Sequence, residues 1–321
     1  MKKGIRPPPY SLSAFCILHP AFCILRPPPR PLPSARYSPG RVRLAFEAVL
    51  ALLLFGCIPV VVKSIDANPY TIGIFRLAVA TLAFGSFMAV RRRLHRVHAR
   101  DLGRLAVIGA LFFGHWITLF FAIKISSASI GAIGLSTYGV DLLLLGAIFA
   151  GQRIHMTDVV AVIVAAVGAI LVVPSFTLSN ATAAGMLLAC LSALMYASLP
   201  LLHQRWSAIP TDTRTLGQFG FALAFFLLFA PRTDWTLTAR DWAGLLFLAI
   251  GVTLVAHSFW VRVTTRLSPS ATSIIYYGNI PFAILSSVLL LEEPLTVRTM
   301  SGALLIIVGS MTGLTAKARR T

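Results

Sequence analysis

The sequence predicts an all-α integral membrane protein of ten transmembrane helices, arranged as two inverted five-helix repeats. Three observations predict it. Of 321 residues, 57% are hydrophobic and 12% charged, with a mean hydropathy of +0.83; an ordinary soluble domain carries about 25% charged residues. Apolar runs of about 18 residues or more recur along the chain, each able to cross a hydrocarbon layer roughly 30 Å thick. Finally, the stretch Gly109–Val173 returns as Gly251–Met311. His115 stands nine residues before Lys124, and His257 nine residues before Arg266. Ser126 and Ser268 follow at the same offset, and Gly168 answers Gly309.

Residues 1–43 read as a tail outside the fold. Arg6–Pro9 repeats as Arg26–Pro29, and Ala14–Leu18 repeats as Ala21–Leu25. Proline at this density forbids a regular helix and favours an extended or disordered segment. His19 and Pro20 interrupt the apolar core that a signal peptide needs.

The expected spans are 44–64, 69–90, 103–123, 128–150, 157–174, 182–203, 213–230, 242–261, 269–291 and 298–315. They divide into repeats at 44–174 and 182–315, with 316–321 as a short tail. Short loops make neighbouring helices antiparallel. With the first tail inside, 22 of the 28 Lys and Arg fall on the inner side, among them the six of the Arg91–Arg104 loop. The positive-inside rule then puts both termini in the cytoplasm, for a multi-pass protein of the cytoplasmic membrane. Five spans per half start the second half on the opposite side, so the halves are expected to be related by a pseudo-twofold axis in the membrane plane. Pro59 answers Pro200, and Thr71-Ile-Gly73-Ile-Phe75 answers Thr215-Leu-Gly217-Gln-Phe219; the offsets stay between 141 and 144 residues.

A net charge of +18 invites a nucleic-acid reading, but the basic residues gather in the tail and one loop and form no binding face. Of the four cysteines, Cys16 and Cys23 lie in the tail, while Cys57 and Cys190 lie in apolar runs; none has metal-ligand spacing. G-x-x-x-x-G-K-[ST], H-E-x-x-H and C-x-x-C are all absent from the sequence. No cofactor, metal, nucleic-acid partner or catalytic residue is expected.

Several stretches resemble the drug/metabolite transporter superfamily, in its ten-helix EamA type, over about residues 44–315. Phe55-Gly56 through Lys63 resembles its W-G-x-x-x-x-x-x-K first span, and Phe75-Arg76-Leu77 its F-x-R-type second span. Ser126–Ser129 resembles the T-S-A-S step into the fourth. Gly151-Gln152-Arg153-Ile154 and Glu292-Glu293-Pro294-Leu295 resemble its two G-E-[RP]-L turns, with Gln152 in place of the acid and Glu292 in place of Gly. Gly139 falls near a position where that family often has Pro. The resemblance implies a non-ATP permease that moves small metabolites, often amino acids or related amphipathic compounds, outward across the cytoplasmic membrane. The competing expectation is a membrane-embedded enzyme or lipid-handling protein working on a lipid headgroup.

Polar groups in hydrocarbon are costly, so each one inside a span is a candidate. His115 and His257 fall close to the midplane from opposite faces, either lining a substrate cavity and titrating near neutral pH or bonding neighbouring helices. Arg76 could bind a carboxylate through its fork, or snorkel to the outer interface. Asp141 is a candidate for substrate binding and proton coupling, and Glu47, one turn into the first span, for coupling or for pairing with Arg43. Tyr138, Tyr276, Tyr277, Asn279, Trp116 and Trp260 suit an amphipathic solute or ordinary packing. Pro59 and Pro200 each remove a helix hydrogen bond and are candidate hinges. The small residues Gly168, Gly302 and Gly309 are expected to allow close helix contact.

Overall fold

The computed structural model describes residues 39–94, 96–172, 180–291 and 296–318. Most of the expected tail, at 1–38, the Glu292–Leu295 turn and residues 319–321 lie outside the described residues. Among those described, all regular structure is helical, and ten helices follow one another. They are α1 (Pro39–Gly56, continuing as Ile58–Ser64), α2 (Pro69–Val90), α3 (Ala99–Ile125), α4 (Ala128–Ser136, then Tyr138–Ala150) and α5 (Met156–Val172). The second set is α6 (Asn180–Arg205), α7 (Thr211–Leu227), α8 (Ala239–Phe247, Leu248–His257 and Ser258–Arg266), α9 (Pro269–Tyr276, then Asn279–Leu291) and α10 (Val297–Ala318). α1 begins at Pro39, inside the stretch read as tail, because proline is well placed in the first turn of a helix.

Seven of these helices are long and apolar enough to cross a membrane by length and composition: α1, α2, α3, α4, α6, α8 and α9. α5 and α10 contain shorter apolar helices, Met156–Gly168 and Met300–Gly309. α7 has 17 residues and carries Asp212 and Arg214 near its start. Large side chains point away from the bundle, with Leu82 70%, Leu187 72% and Leu289 68% exposed. Apolar surface on that scale is what a hydrocarbon solvent accepts and water does not.

Local chemistry sets the helix ends. The Asn68 side chain accepts from Tyr70 N at 3.0 Å and Thr71 N at 2.9 Å, capping α2 ahead of Pro69. Ser127 Oγ accepts from Ile130 N at 3.1 Å to open α4, and Ser268 Oγ accepts from Ala271 N at 3.3 Å to open α9. The sequence pairs Ser126 with Ser268; the structure gives the capping role to Ser127, 141 residues before Ser268. α4 ends on Gly151, whose φ of +62° is a left-handed conformation that glycine adopts without strain.

The ends of α3 and α8 are closed in the same way. Lys63 Nζ donates to Ile123 O at 3.2 Å and Ser126 O at 3.0 Å. Gln204 Nε2 donates to Thr264 O at 2.7 Å and Leu267 O at 2.8 Å. Donor and acceptors all recur 141 residues later. α8 separates the two caps: its first turn receives Asp66 N on Asp241 Oδ1 at 2.9 Å, beside Lys63, and its last turn receives Gln204. The two caps therefore stand at opposite ends of the bundle.

Helix packing follows the same exchange. α3 lies against α6 and α7, and α8 lies against α1 and α2. α4 packs on α6, and α9 packs on α1. α2 meets α7, α4 meets α9 and α5 meets α10. The main core joins α1–α4 with α6–α9, and a smaller cluster of Leu143, Ala161, Val162, Ala165, Ile274, Tyr277 and Ile306 ties α5 and α10 to α4 and α9.

α5 and α10 touch through backbone, as expected of small residues at a membrane helix crossing. A Cβ added to Gly168 would lie 2.6 Å from Gly302 O, and one added to Gly309 would lie 2.9 Å from Ala161 O. Gly168→Leu is therefore expected to cost at least the ~1–3 kcal/mol typical of overpacking, read as a lower melting temperature of the purified protein in detergent. An unchanged melting temperature would contradict the close crossing.

Candidate functional site

A narrow cavity of about 20 Å³ lies where α1, α2, α3, α4, α6, α8 and α9 converge. It has room for a water or two. Arg76, His115, Trp116, Tyr196, His257 and Tyr276 line it together with apolar side chains that include Phe55, Ile58 and Phe120, and the surface they present to it is mostly apolar.

Arg76, in α2, is 0% exposed, so its guanidinium does not snorkel to an interface. Nε donates to Thr253 Oγ1 at 3.0 Å, and Thr253 Oγ1 donates onward to Leu248 O, five residues back, at 2.8 Å. That reach of five residues belongs to the π-helical middle of α8, Leu248–His257, a wide turn of a kind frequent at functional sites. The guanidinium carbon lies 4.0 Å from the Trp116 ring centroid and 5.3 Å from that of Phe120, a cation–π arrangement worth roughly 2 kcal/mol where water is excluded. Nη1 and Nη2 have no hydrogen-bond partner among the described residues.

His115, in α3, is held by Ser192 of α6. Nδ1 lies 2.7 Å from Ser192 Oγ and 3.2 Å from Ser192 O, while Ser192 Oγ donates to His115 O at 2.8 Å. A carbonyl oxygen only accepts, so Nδ1 carries the hydrogen and Nε2 of the neutral ring is an acceptor. Tyr196 stacks on the imidazole with centroids 4.2 Å apart. His257 sits across the cavity between Phe55 at 4.7 Å, Phe112 at 4.9 Å and Trp116 at 5.5 Å. Its Nε2 and the Tyr196 hydroxyl lack partners among the described residues. The two histidines thus meet at one cavity from α3 and α8.

The other sequence candidates are distributed around it. Tyr276 lines the cavity, Tyr138 packs against it at 4.0 Å, and Trp260 adjoins Tyr276 at 5.8 Å. Asn279 lies within hydrogen-bonding reach of Tyr276. Tyr277 faces away, over Gly139 and into the α5–α9–α10 cluster. Asp141 is half-buried outside the lining, where Thr137 Oγ1 donates to it at 3.1 Å, and no ion pair joins it to Arg76. Glu47, 4% exposed, accepts from Arg43 Nε at 3.0 Å and from Arg262 Nε at 3.3 Å, tying α1 to the last turns of α8.

Pro59 follows the break in α1 at Cys57, while Pro200 stands inside an unbroken α6. A proline cannot donate to the carbonyl four residues back, which here belongs to Phe55 and to Tyr196, both on the cavity wall. Thr253, Ser192 and Tyr196 are not among the sequence candidates, and Phe55 enters only through the first-span motif. Only the last two carried a readable signal, each standing four residues before one of the paired prolines.

The EamA-like transporter family model matches the chain twice, over residues 44–173 and 183–314. An uncharacterized transporter of Archaeoglobus fulgidus is 24% identical over 75% of this chain and 87% of its own length. Protein PecM of Dickeya dadantii is 26% identical over 64% of this chain and 71% of its own. A solved crystal structure superposes with a TM-score of 0.74 at 17% identity, covering 87% of this chain and 98% of that one, a likeness of fold.

Glu47→Gln leaves two arginines without their carboxylate and is expected to cost about 1–3 kcal/mol of stability, measured as a fall in melting temperature. An unchanged value would mean that the carboxylate does not hold α1 to α8.

Proposed function

Because this chain belongs to the EamA-like transporter family, we propose that it is a secondary transporter that moves a small metabolite, an amino acid or related amphipathic solute, by alternating access. In this reading all ten helices cross the cytoplasmic membrane as two inverted five-helix halves, with both termini in the cytoplasm. Transport is outward, the direction that the resemblance implies.

One observation carries the proposal: a cavity lined by Arg76, His115 and His257 lies between the halves, with cross-half contacts at each end of the bundle. At the end near Lys63, Asp66 N meets Asp241, Asn68 Nδ2 donates to Arg232 O at 3.0 Å, and Thr71 Oγ1 donates to Asp234 O at 2.9 Å. At the other end, Glu47 meets Arg262, Arg93 meets Asp212 at 3.5 Å, and Gln152 donates to Ser270. Each set joins the first half to the second, and each can break while the other holds. The exchanged helix pairings and the two caps at opposite ends of α8 support the inverted relation. Such a cycle exposes Arg76, His115 and His257 first to one side and then to the other. Asp141 and Glu47 are the candidate carboxylates for proton coupling.

The test is solute flux into liposomes carrying the purified protein, screened over amino acids and related metabolites, with chemical turnover of lipid followed in the same vesicles. Solute flux without turnover is expected, and His115→Ala and His257→Ala should each lower it about tenfold or more, in line with lost cavity contacts of ~1.4 kcal/mol. Turnover without flux would favour the enzyme, and unchanged flux in both variants would remove the histidines from the pathway. Asp141→Asn and Glu47→Gln, assayed with and without a proton gradient, are expected to differ. The variant that loses its proton dependence identifies the coupling acid, and retention by both would exclude these carboxylates.

A further inference from the structure

Among the described residues two arginines are buried, and they are treated differently. Arg214, 1% exposed at the start of α7, spends its donors on Ile209 O, His203 O, His203 Nδ1, Thr265 Oγ1 and Thr211 Oγ1. Arg76, 0% exposed, has Thr253 alone, and its two outer nitrogens are unpartnered at the cavity. No carboxylate lines that cavity. A guanidinium keeps its charge in a protein, and a buried charge without a counter-ion is strongly destabilising. The rest of the wall adds the unpartnered Tyr196 hydroxyl and His257 Nε2.

Resting on the transporter reading, we propose that Arg76 is the anion receptor of the cavity, taking the carboxylate of the transported solute on Nη1 and Nη2, and that the solute class is therefore monocarboxylates. The counter-ion missing from the protein arrives with the cargo. Two parallel N–H donors match the two oxygens of a planar carboxylate and fit a spherical halide poorly. The cavity, with room for a water or two, is the size of a carboxylate head; the remainder of a solute needs one end of the bundle to open. Thr253 is a positioning residue: its hydroxyl, anchored to the π-helical turn, turns Nε away and leaves the outer fork to the ligand.

The experiment uses the full-length protein in detergent micelles and follows tryptophan fluorescence and melting temperature with sodium acetate, neutral acetamide and sodium chloride at matched ionic strength. Acetate alone is expected to quench and to stabilise. Arg76→Gln and Arg76→Lys should each weaken acetate at least tenfold, and Thr253→Val, which keeps the charge and nearly the shape, several-fold. Equal effects of acetamide or chloride, or acetate affinity in Arg76→Gln within twofold of wild type, would overturn the assignment. Should the Arg76 variants not fold, Thr253→Val decides, and an unchanged acetate affinity there overturns it. A liposome arm separates this inference from the transporter reading. Acetate binding with no flux of any solute would sink the transporter reading alone, whereas amino-acid amides carried as fast as the acids would sink this inference alone.

Discussion

Hydrocarbon offers a polar atom no hydrogen-bond partner, so each one inside the bundle must be met within the fold. At the helix ends and around one buried arginine the chain meets that demand with its own groups. Helix ends are closed by Asn68, Ser127 and Ser268, α3 and α8 by Lys63 and Gln204, and Arg214 by a full set of acceptors. Among the described residues several buried hydroxyl and ring atoms go without a partner, and Arg76 is the cation among them, with both outer nitrogens unpaired. It lies at the meeting of seven helices, under the Trp116 ring and beside both histidines. Polar deficits in hydrocarbon persist where they are used.

The architecture supplies the place for that deficit. Each five-helix set sends its third helix against the first two of the other set, and its fourth against the first of the other. The cavity is the seam of this exchange, so its walls come from both halves: Arg76 and His115 from one, Tyr196 and His257 from the other. Prolines on α1 and α6 each leave a backbone carbonyl at this wall without its helical donor, at matching positions. The glycine crossing of α5 and α10 lies apart from the cavity, in the smaller cluster.

Much of this was legible in the sequence because hydrocarbon makes polar residues conspicuous. Hydropathy and the spacing of His, Lys, Pro and Gly pairs gave the helices and their duplication, and the intramembrane charges marked Arg76, His115 and His257. Direction around a helix axis was not legible. Asp141 reads as an acid at depth, yet it turns toward Thr137 and away from the cavity. Glu47 reads as a partner for Arg43, and its second partner, Arg262, is 215 residues away, beyond any local pattern. Thr253 reads as an ordinary hydroxyl in an apolar run, since hydropathy does not report the π-helical widening that aims it at Arg76.

The central claim is that one half is the other set upside down around the shared cavity of Arg76, His115 and His257. Its most direct test is membrane sidedness at equivalent exposed positions, Ile125 at the end of α3 and Arg266 at the end of α8. Single Ile125→Cys and Arg266→Cys variants, made after the native cysteines are replaced, would be labelled in intact cells with a membrane-impermeant thiol reagent. The account predicts labelling at 125 from outside and at 266 only after the cells are opened. Labelling of both from the same side would contradict it.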